Sequence, residues 1–131
     1  MCGISGICNF KKKPSSEVVK LMTKKLSHRG PDDIGFFNNE YISLGHNRLS
    51  IIDIEKSVQP MKDPDTSNII IFNGEIYNYK ELKKNLLGRG CRFNNKSDTE
   101  VILNGYILDG ISFFKKIRGF FALVIYDKQK N

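Results

Sequence analysis

The sequence predicts a layered protein of the α/β or α+β class, with a sheet core that is covered on both sides. Strand-like segments open the chain and recur later, with helix-like segments between them. Several strand-like segments, residues 69–72 and 119–126 among them, are apolar at consecutive positions, which is typical of strands buried on both faces. At 131 residues the chain has the length of one domain.

The first half of the chain predicts six segments in order. They are a buried strand, a helix that starts at a Pro-Ser-Ser sequence, a polar loop, the two strands of a hairpin, and an extended apolar segment headed by Arg48. These segments cover residues 3–10, 14–26, 27–33, 34–37, 41–46 and 48–53. Asn38 and Asn39 predict the hairpin turn.

The second half begins with a charged loop over residues 54–67, followed by a central strand over 68–72 that ends in Asn73-Gly74-Glu75. Residues 79–87 predict an amphipathic helix. A capping box over residues 97–100 predicts another helix that runs toward Leu108. After a short irregular or helical stretch, residues 119–126 predict a further buried strand.

Composition excludes several classes of protein. No apolar run approaches the roughly 20 residues that span a bilayer, and Lys11–Lys13 interrupt any signal peptide, so we expect a cytoplasmic protein. Three cysteines without CxxC spacing and two histidines predict neither a zinc site nor a disulfide framework. The net charge of +7 comes from scattered lysine pairs on predicted helices, which favours solvated faces over a nucleic-acid site.

Cys2 is the candidate nucleophile. Removal of Met1, which a small second residue permits, would leave a thiol and a free α-amino group on one residue. An α-amine titrates at about 7.7–8.0, so it can accept and return a proton near neutral pH. A cysteine that stands at position 2 by chance is the alternative interpretation of these residues.

Other polar residues suit an amide substrate, each with a structural alternative. The Asn73 amide and the Gly74 N–H could stabilise an oxyanion, although Asn-Gly is also a common hairpin turn. Arg48 suits an α-carboxylate, although it could instead pair with a structural carboxylate. Glu75 and Asp98 suit an α-ammonium, although Asp98 also fits a helix cap. We interpret the remaining histidines and cysteines as structural: His28 and His46 for hydrogen bonding, Cys8 and Cys91 for packing.

Five motifs give the sequence a family resemblance. They occupy residues 1–7 (MCGISGI), 27–33 (SHRGPDD), 45–53 (GHNRLSIID), 72–78 (FNGEIYN) and 97–103 (SDTEVIL). Together they resemble the N-terminal glutaminase domain of the asparagine synthetase family, a class II glutamine amidotransferase. The resemblance extends from residue 1 to about residue 127.

The resemblance implies a four-layer αββα sandwich of the N-terminal-nucleophile hydrolase type, in the α+β class. It implies hydrolysis of L-glutamine to glutamate and ammonia through a γ-glutamyl thioester on Cys2, with the Cys2 amine as base. By the same resemblance, Asn73 and Gly74 form the oxyanion hole, and Arg48 binds the α-carboxylate. The α-ammonium goes to Asp98 with help from Glu75, and the backbone of Leu49, Ser50, Ile51 and Ile52 lines the pocket.

The family also has parts that follow residue 131, so we expect residues 1–131 to be a partial domain, incomplete at the C-terminus. The missing parts are a partner strand and a synthetase domain that uses ATP and Mg²⁺ to amidate aspartate. An ammonia acceptor other than aspartate, such as a polysaccharide sugar, and a catalytically silent fragment remain alternatives. We also expect the strand over 119–126 to expose an apolar edge and to promote homo-oligomers.

Overall fold

The structure is a computed structural model that describes residues 2–49 and 58–130. The first three-stranded sheet is antiparallel, with the order β1-β3-β2, and consists of β1 (Gly3–Cys8), β2 (Asp33–Asn38) and β3 (Ile42–Arg48). Every residue of the central strand β3 is buried. Helix α1 (Ser16–Lys25) contacts β1 and β3. Its N-cap is Ser15, whose side chain accepts a hydrogen bond from the Val18 N–H, as the sequence predicts.

The second three-stranded sheet is also antiparallel, with the order β4-β5-β6. Its strands are β4 (Met61–Lys62), β5 (Ile69–Ile76) and β6 (Gly119–Tyr126). Helices α2 (Tyr79–Gly88) and α3 (Asp98–Asp109) pack together, and α3 lies against β5. The sequence therefore predicted the central position of β5 and both helices correctly.

Successive side chains of β5 point to opposite faces, so this strand packs against the first sheet on one face and against the helices on the other. Ile69 and Ile71 pack with Ile42 and Leu44 of β3, between the two sheets. The intervening positions pack against the helices, in a cluster that includes Ile70, Phe72, Leu82, Leu86, Val101 and Ile102. The order of layers is α1, first sheet, second sheet, α2 with α3, so the predicted α+β fold with αββα layers is confirmed.

Two strand predictions were wrong about burial. Residues 3–10 and 119–126 were expected to be buried, but in β1 only Gly3 is buried and the other positions are half-buried or exposed, and the first half of β6 is exposed. Cys8 is exposed on β1, so the packing role predicted for it was also wrong. Both strands lie at a sheet edge, where a hydrophobic strand has fewer neighbours than its sequence suggests.

The sequence missed two short elements. Residues 27–33 were expected to be irregular, but Ser27–Arg29 form a 3₁₀ turn. The stretch before β6, predicted as irregular or helical, contains a 3₁₀ helix at Gly110–Lys116. The two-residue strand β4 lies inside the predicted loop. No helix in the described part of the chain is long and apolar enough to cross a membrane.

The outer edge of β6 leads to a prediction about assembly. In residues 2–49 and 58–130, β6 pairs with β5 alone, and Phe120 and Phe121 are 45% and 40% exposed. An apolar strand with an unpaired edge favours association with another copy. We expect light scattering to give more than the 15.0 kDa of one chain. Ala122→Lys, which puts a charge on the edge, should shift the protein toward monomer, and a monodisperse wild-type monomer would contradict the prediction.

Candidate active site

A cavity of about 400 Å³ lies at one end of the two sheets and brings together most of the predicted site residues. Its lining includes seven of them: Cys2, Arg48, Leu49, Asn73, Gly74, Glu75 and Asp98. The other three predicted residues, Ser50, Ile51 and Ile52, lie outside the described residues, as does Met1. Residues that are far apart in sequence therefore share one cavity.

Strand alternation explains how Cys2 and Asn73 come to line the same cavity. Ile4 and Ile71 both pack into the core between the sheets. Cys2 comes two residues before Ile4, and Asn73 comes two residues after Ile71, so each projects from the same face as its apolar neighbour. The core between the sheets thus gives way to the cavity at this end.

Cys2 is held by contacts from two segments. The Leu49 N–H donates a hydrogen bond to Cys2 Sγ at 3.4 Å, and Arg29 Nε donates to the Cys2 carbonyl oxygen at 3.1 Å. Pairing of Gly3 with Asn47 brings the start of β1 beside the end of β3. The sulfur therefore has a defined position at the cavity wall.

The edge of β5 that faces away from β6 presents three N–H groups in succession. In an antiparallel pair the hydrogen-bonding direction alternates, and Tyr77 N–H bonds toward the β6 side, so Phe72, Gly74 and Ile76 point their N–H groups the other way. The first donates to Gln59 Oε1 at 2.6 Å and the third to Asp98 Oδ2 at 3.3 Å. The Gly74 N–H has no acceptor outside its own sheet among the described residues, so it is available to a ligand.

Gly74 occupies a position that other residues cannot adopt. Its φ is +149°, a region that favours glycine. A Cβ placed there would lie 2.2 Å from the Phe120 carbonyl oxygen and 2.6 Å from Phe121 Cα. The local interpretation of Asn73-Gly74 as a hairpin turn was wrong, because β5 continues through both residues to Ile76.

Asp98 is the first residue of α3, and its carboxylate faces β5. Burial raises the pKa of Asp98, and the hydrogen bond from the Ile76 N–H opposes this shift, while the negative charge of Glu75 adds to it. The helix cap is its neighbour Ser97, whose Oγ accepts from the Glu100 N–H. The alternative role of Asp98 as the capping residue is therefore taken by Ser97.

The capping box itself is only half formed. The Glu100 carboxylate accepts hydrogen bonds from the N–H groups of Asn94 and Asn95, at 2.7 and 2.9 Å, in place of the Ser97 N–H that the motif predicts. The Ser97 N–H donates instead to Asn95 Oδ1. These bonds fix the loop that leads into α3 and hold the start of the helix at the cavity.

Arg48 ends β3, and its residue is only 7% exposed. The Asp32 N–H donates to the Arg48 carbonyl oxygen at 3.0 Å, which closes the strand onto the loop that precedes β2. The cavity wall carries charges of both signs: the cations Arg48 and Lys96, and the carboxylates of Asp98 and Glu75. An α-amino acid, which carries both charges, complements that pattern.

The two histidines have the contacts expected of structural residues. His46 is fully buried, and its Nε2 lies 3.1 Å from the Phe72 carbonyl oxygen. Burial lowers the pKa of His46 from 6.5 to about 4, so the ring is neutral at physiological pH. His28 Nδ1 lies 3.2 Å from the Lys25 carbonyl oxygen. Cys91 packs against the core below α2 and α3, where burial raises the pKa of its thiol.

Sequence reasoning missed several residues of the cavity wall, including Gln59, Tyr77, Lys96 and Phe120. Gln59 lies in a segment that reads as a charged loop, and no local pattern marks it. Within residues 2–49 and 58–130, no cluster of three or more histidine, cysteine or carboxylate side chains could hold a metal ion.

Comparison with solved structures shows that two enzyme structures share this fold. Glutamine phosphoribosylpyrophosphate amidotransferase from Bacillus subtilis superposes with a TM-score of 0.75 at 18% identity, over 95% of this chain and 35% of that one. A structure titled the allosteric regulatory enzyme of purine biosynthesis gives a TM-score of 0.78 at 20% identity, over 94% of this chain and 35% of that one.

Sequence comparison then gives the family. The model of the glutamine amidotransferase domain matches residues 1–131, so the chain belongs to that family. Asparagine synthetase [glutamine-hydrolyzing] 1 of Bacillus subtilis is 44% identical over 100% of this chain and 21% of its own length. Asparagine synthetase B of Escherichia coli is 35% identical over 100% of this chain and 24% of its own length. The chain thus spans less than a third of the relatives it matches, and the family resemblance is confirmed.

Proposed function

We propose that this domain hydrolyses L-glutamine to glutamate and ammonia, with Cys2 as the nucleophile. One observation carries the proposal: the Cys2 sulfur, the available Gly74 N–H and the Asp98 carboxylate line the same cavity of about 400 Å³. A nucleophile, an oxyanion donor and an anchor for an ammonium are the parts that this reaction requires. Membership of the amidotransferase family supports the same substrate.

The thiol and the α-amino group of Cys2 supply the nucleophile and the base of this reaction. After removal of Met1, the Cys2 amine accepts the thiol proton, and the thiolate attacks the γ-carboxamide carbon. The carbon–nitrogen bond breaks, and the proton passes from the amine to the departing nitrogen, which leaves as ammonia. Water then attacks the thioester, which releases glutamate and restores the thiol.

The oxyanion that forms in both steps would be held by Asn73 and Gly74. The Gly74 N–H is available to a ligand because the N–H direction alternates along β5 and that of Gly74 points away from β6. Asn73 lines the same cavity, and its Nδ2 is the amide atom that would donate to the oxyanion. Two such donors are a common oxyanion hole for acyl transfer.

The amino-acid end of glutamine would lie among the charged residues of the cavity. Arg48 would bind the α-carboxylate, and Asp98 with Glu75 would bind the α-ammonium. The backbone of Leu49, together with that of Ser50, Ile51 and Ile52, would complete the pocket wall. This placement orients the γ-carboxamide toward Cys2.

The ammonia would be used by a synthetase domain that is not within residues 1–131. We propose aspartate as the acceptor, with ATP and Mg²⁺ as cofactors of that domain, in a cytoplasmic enzyme. The support for aspartate is that the relatives are glutamine-hydrolyzing asparagine synthetases. ATP, Mg²⁺ and the cytoplasmic location are proposed from the family resemblance alone.

The test is mass spectrometry of the chain after treatment with diazo-oxo-norleucine, an electrophilic glutamine analogue. We expect one adduct, on a Cys2 that has lost Met1, and no adduct on Cys2→Ala. Cys8→Ser is the matched control, because Cys8 is an exposed thiol outside the cavity, and this variant should react as the wild type does. Retained Met1 without an adduct would support a catalytically silent fragment and contradict the proposal.

Asp98 gives the proposal a pH dependence. Only the ionised carboxylate attracts an α-ammonium, and burial raises the pKa of Asp98. The KM for L-glutamine should therefore rise as pH falls through that raised pKa, at a higher pH than an ordinary aspartate would cause. Asp98→Asn should raise KM roughly 10- to 100-fold and remove this pH dependence. Asp109→Asn, which weakens ion pairs with Arg89 and Lys116 and does not line the cavity, is the control. A wild-type KM that does not change with pH would contradict the assignment.

A further inference from the structure

Gln59 joins the two halves of the proposed site through its side chain. The residue is 8% exposed, and its side chain lies between β5 and the start of α3. Gln59 Oε1 accepts a hydrogen bond from the Phe72 N–H at 2.6 Å, and Gln59 Nε2 donates to Thr99 Oγ1 at 3.3 Å. Both ends of the amide are therefore used.

The partners of Gln59 are neighbours of functional residues. Phe72 directly precedes Asn73, which we place in the oxyanion hole, and Thr99 directly follows Asp98, which we place at the α-ammonium. One side chain thus connects the strand that carries the oxyanion donors to the helix that carries the ammonium anchor. The ends of a bound glutamine would span the same two elements.

Gln59 lies beside the edge of β5, where a neighbouring strand would otherwise pair with Phe72. In the described residues β4 pairs only with Ile69 and Ile70, so the outward N–H of Phe72 lies beyond the last ladder contact. Gln59 Oε1 accepts from that N–H in place of a strand carbonyl. The next outward N–H along this edge is that of Gly74.

The backbone around Gln59 leaves little room for it to move. A Cβ at Gly35 would lie 1.9 Å from the Gln59 carbonyl oxygen, so β2 approaches Gln59 as closely as a glycine allows. The Phe72 carbonyl is held on its side by His46 Nε2 at 3.1 Å. Both backbone groups of Phe72 are therefore held by side chains that are buried.

We propose that Gln59 is a positioning residue that sets the separation between the oxyanion hole and the ammonium anchor. This inference rests on the proposed function. Gln59 touches no reacting atom; it acts through Phe72 and Thr99. A displacement of about 1 Å between groups that hold a substrate can cost on the order of 100-fold in rate.

The experiment compares two reagents for Cys2 on the full chain. Diazo-oxo-norleucine uses the thiol, the oxyanion hole and the amino-acid anchor, whereas iodoacetamide needs only the thiol. The ratio of the two inactivation rates therefore measures how well both ends of a glutamine analogue are held. Both rates are compared at matched folded fractions, checked by circular dichroism, because unfolded chain still reacts with iodoacetamide but no longer binds diazo-oxo-norleucine.

Two pairs of variants separate positioning from stability. Gln59→Leu should lower the ratio roughly 10- to 100-fold. Thr23→Val is its control, because Thr23 is fully buried and hydrogen-bonded to Ser5 and Val19 away from the cavity, and its ratio should equal that of the wild type. Thr99→Val should lower the ratio less, since Phe72 keeps its bond to Gln59. Thr99→Ser, which keeps the hydroxyl, should restore the wild-type ratio.

Each outcome decides between the proposals. A wild-type ratio in both Gln59→Leu and Thr99→Val would overturn the positioning role while the Cys2 adduct still supports the proposed function. Should Gln59→Leu fail to fold, the difference between Thr99→Val and Thr99→Ser gives the same decision. No reaction of the wild type with diazo-oxo-norleucine would overturn both proposals together.

Discussion

Gly74→Ala is expected to slow formation of the adduct at Cys2 and to destabilise the domain. A Cβ at residue 74 would lie 2.2 Å from the Phe120 carbonyl oxygen, and the φ of +149° is unfavourable for alanine. Such a backbone conformation costs on the order of 1–3 kcal/mol in a residue other than glycine. If β5 and β6 move apart to make room, the Gly74 N–H leaves its position, and loss of one oxyanion donor costs roughly 100- to 1,000-fold in rate.

Chemical denaturation and the rate of diazo-oxo-norleucine labelling measure the two effects separately. Gly88→Ala is the matched control, because Gly88 ends α2 and a Cβ there has no atom within 4 Å. That variant should leave labelling unchanged and should not lower stability, since alanine is the better helix former. A Gly74→Ala protein that is labelled at the wild-type rate would remove Gly74 from the oxyanion hole.

Local patterns predicted the elements that position the site. The Ser15 cap of α1 and the Ser97 cap of α3 follow from residues that satisfy free N–H groups at a helix start, and both caps are formed. The apolar run at the start of β5 predicted a central strand because consecutive apolar residues need cover on both faces. These features depend on neighbours in sequence, so one chain is sufficient to predict them.

Contacts between distant segments could not be predicted in this way. Asn73-Gly74 has the pattern of a turn, and only the close approach of Phe120 and Phe121 explains a glycine inside a strand. The contacts of Gln59 with Phe72 and Thr99 span 13 and 40 residues of sequence. The family resemblance, not residue spacing, predicted that Cys2, Arg48 and the residues of β5 belong together, and the roles of these residues remain predictions that the experiments above test.

Stability is expected to fall between pH 6.5 and about 4 because of His46. The folded protein holds His46 with its pKa lowered to about 4 by burial, whereas the unfolded chain has the ordinary value of 6.5. Within that window the unfolded state binds a proton that the folded state does not, so the free energy of unfolding decreases as pH falls. The full contribution is present above pH 6.5, and below about pH 4 no more is lost.

The difference between the two pKa values corresponds to a loss of about 3 kcal/mol across the window. Urea denaturation at a series of pH values measures this loss of stability. Comparison with variants separates the contribution of His46 from that of the carboxylates, which also titrate in this range. His46→Gln keeps an N–H donor for the Phe72 carbonyl but cannot take up a proton, so its stability should change less with pH than that of the wild type. His28→Asn, at an exposed histidine, should retain the wild-type pH dependence. Equal pH dependence in His46→Gln and the wild type would show that another group causes the acid sensitivity.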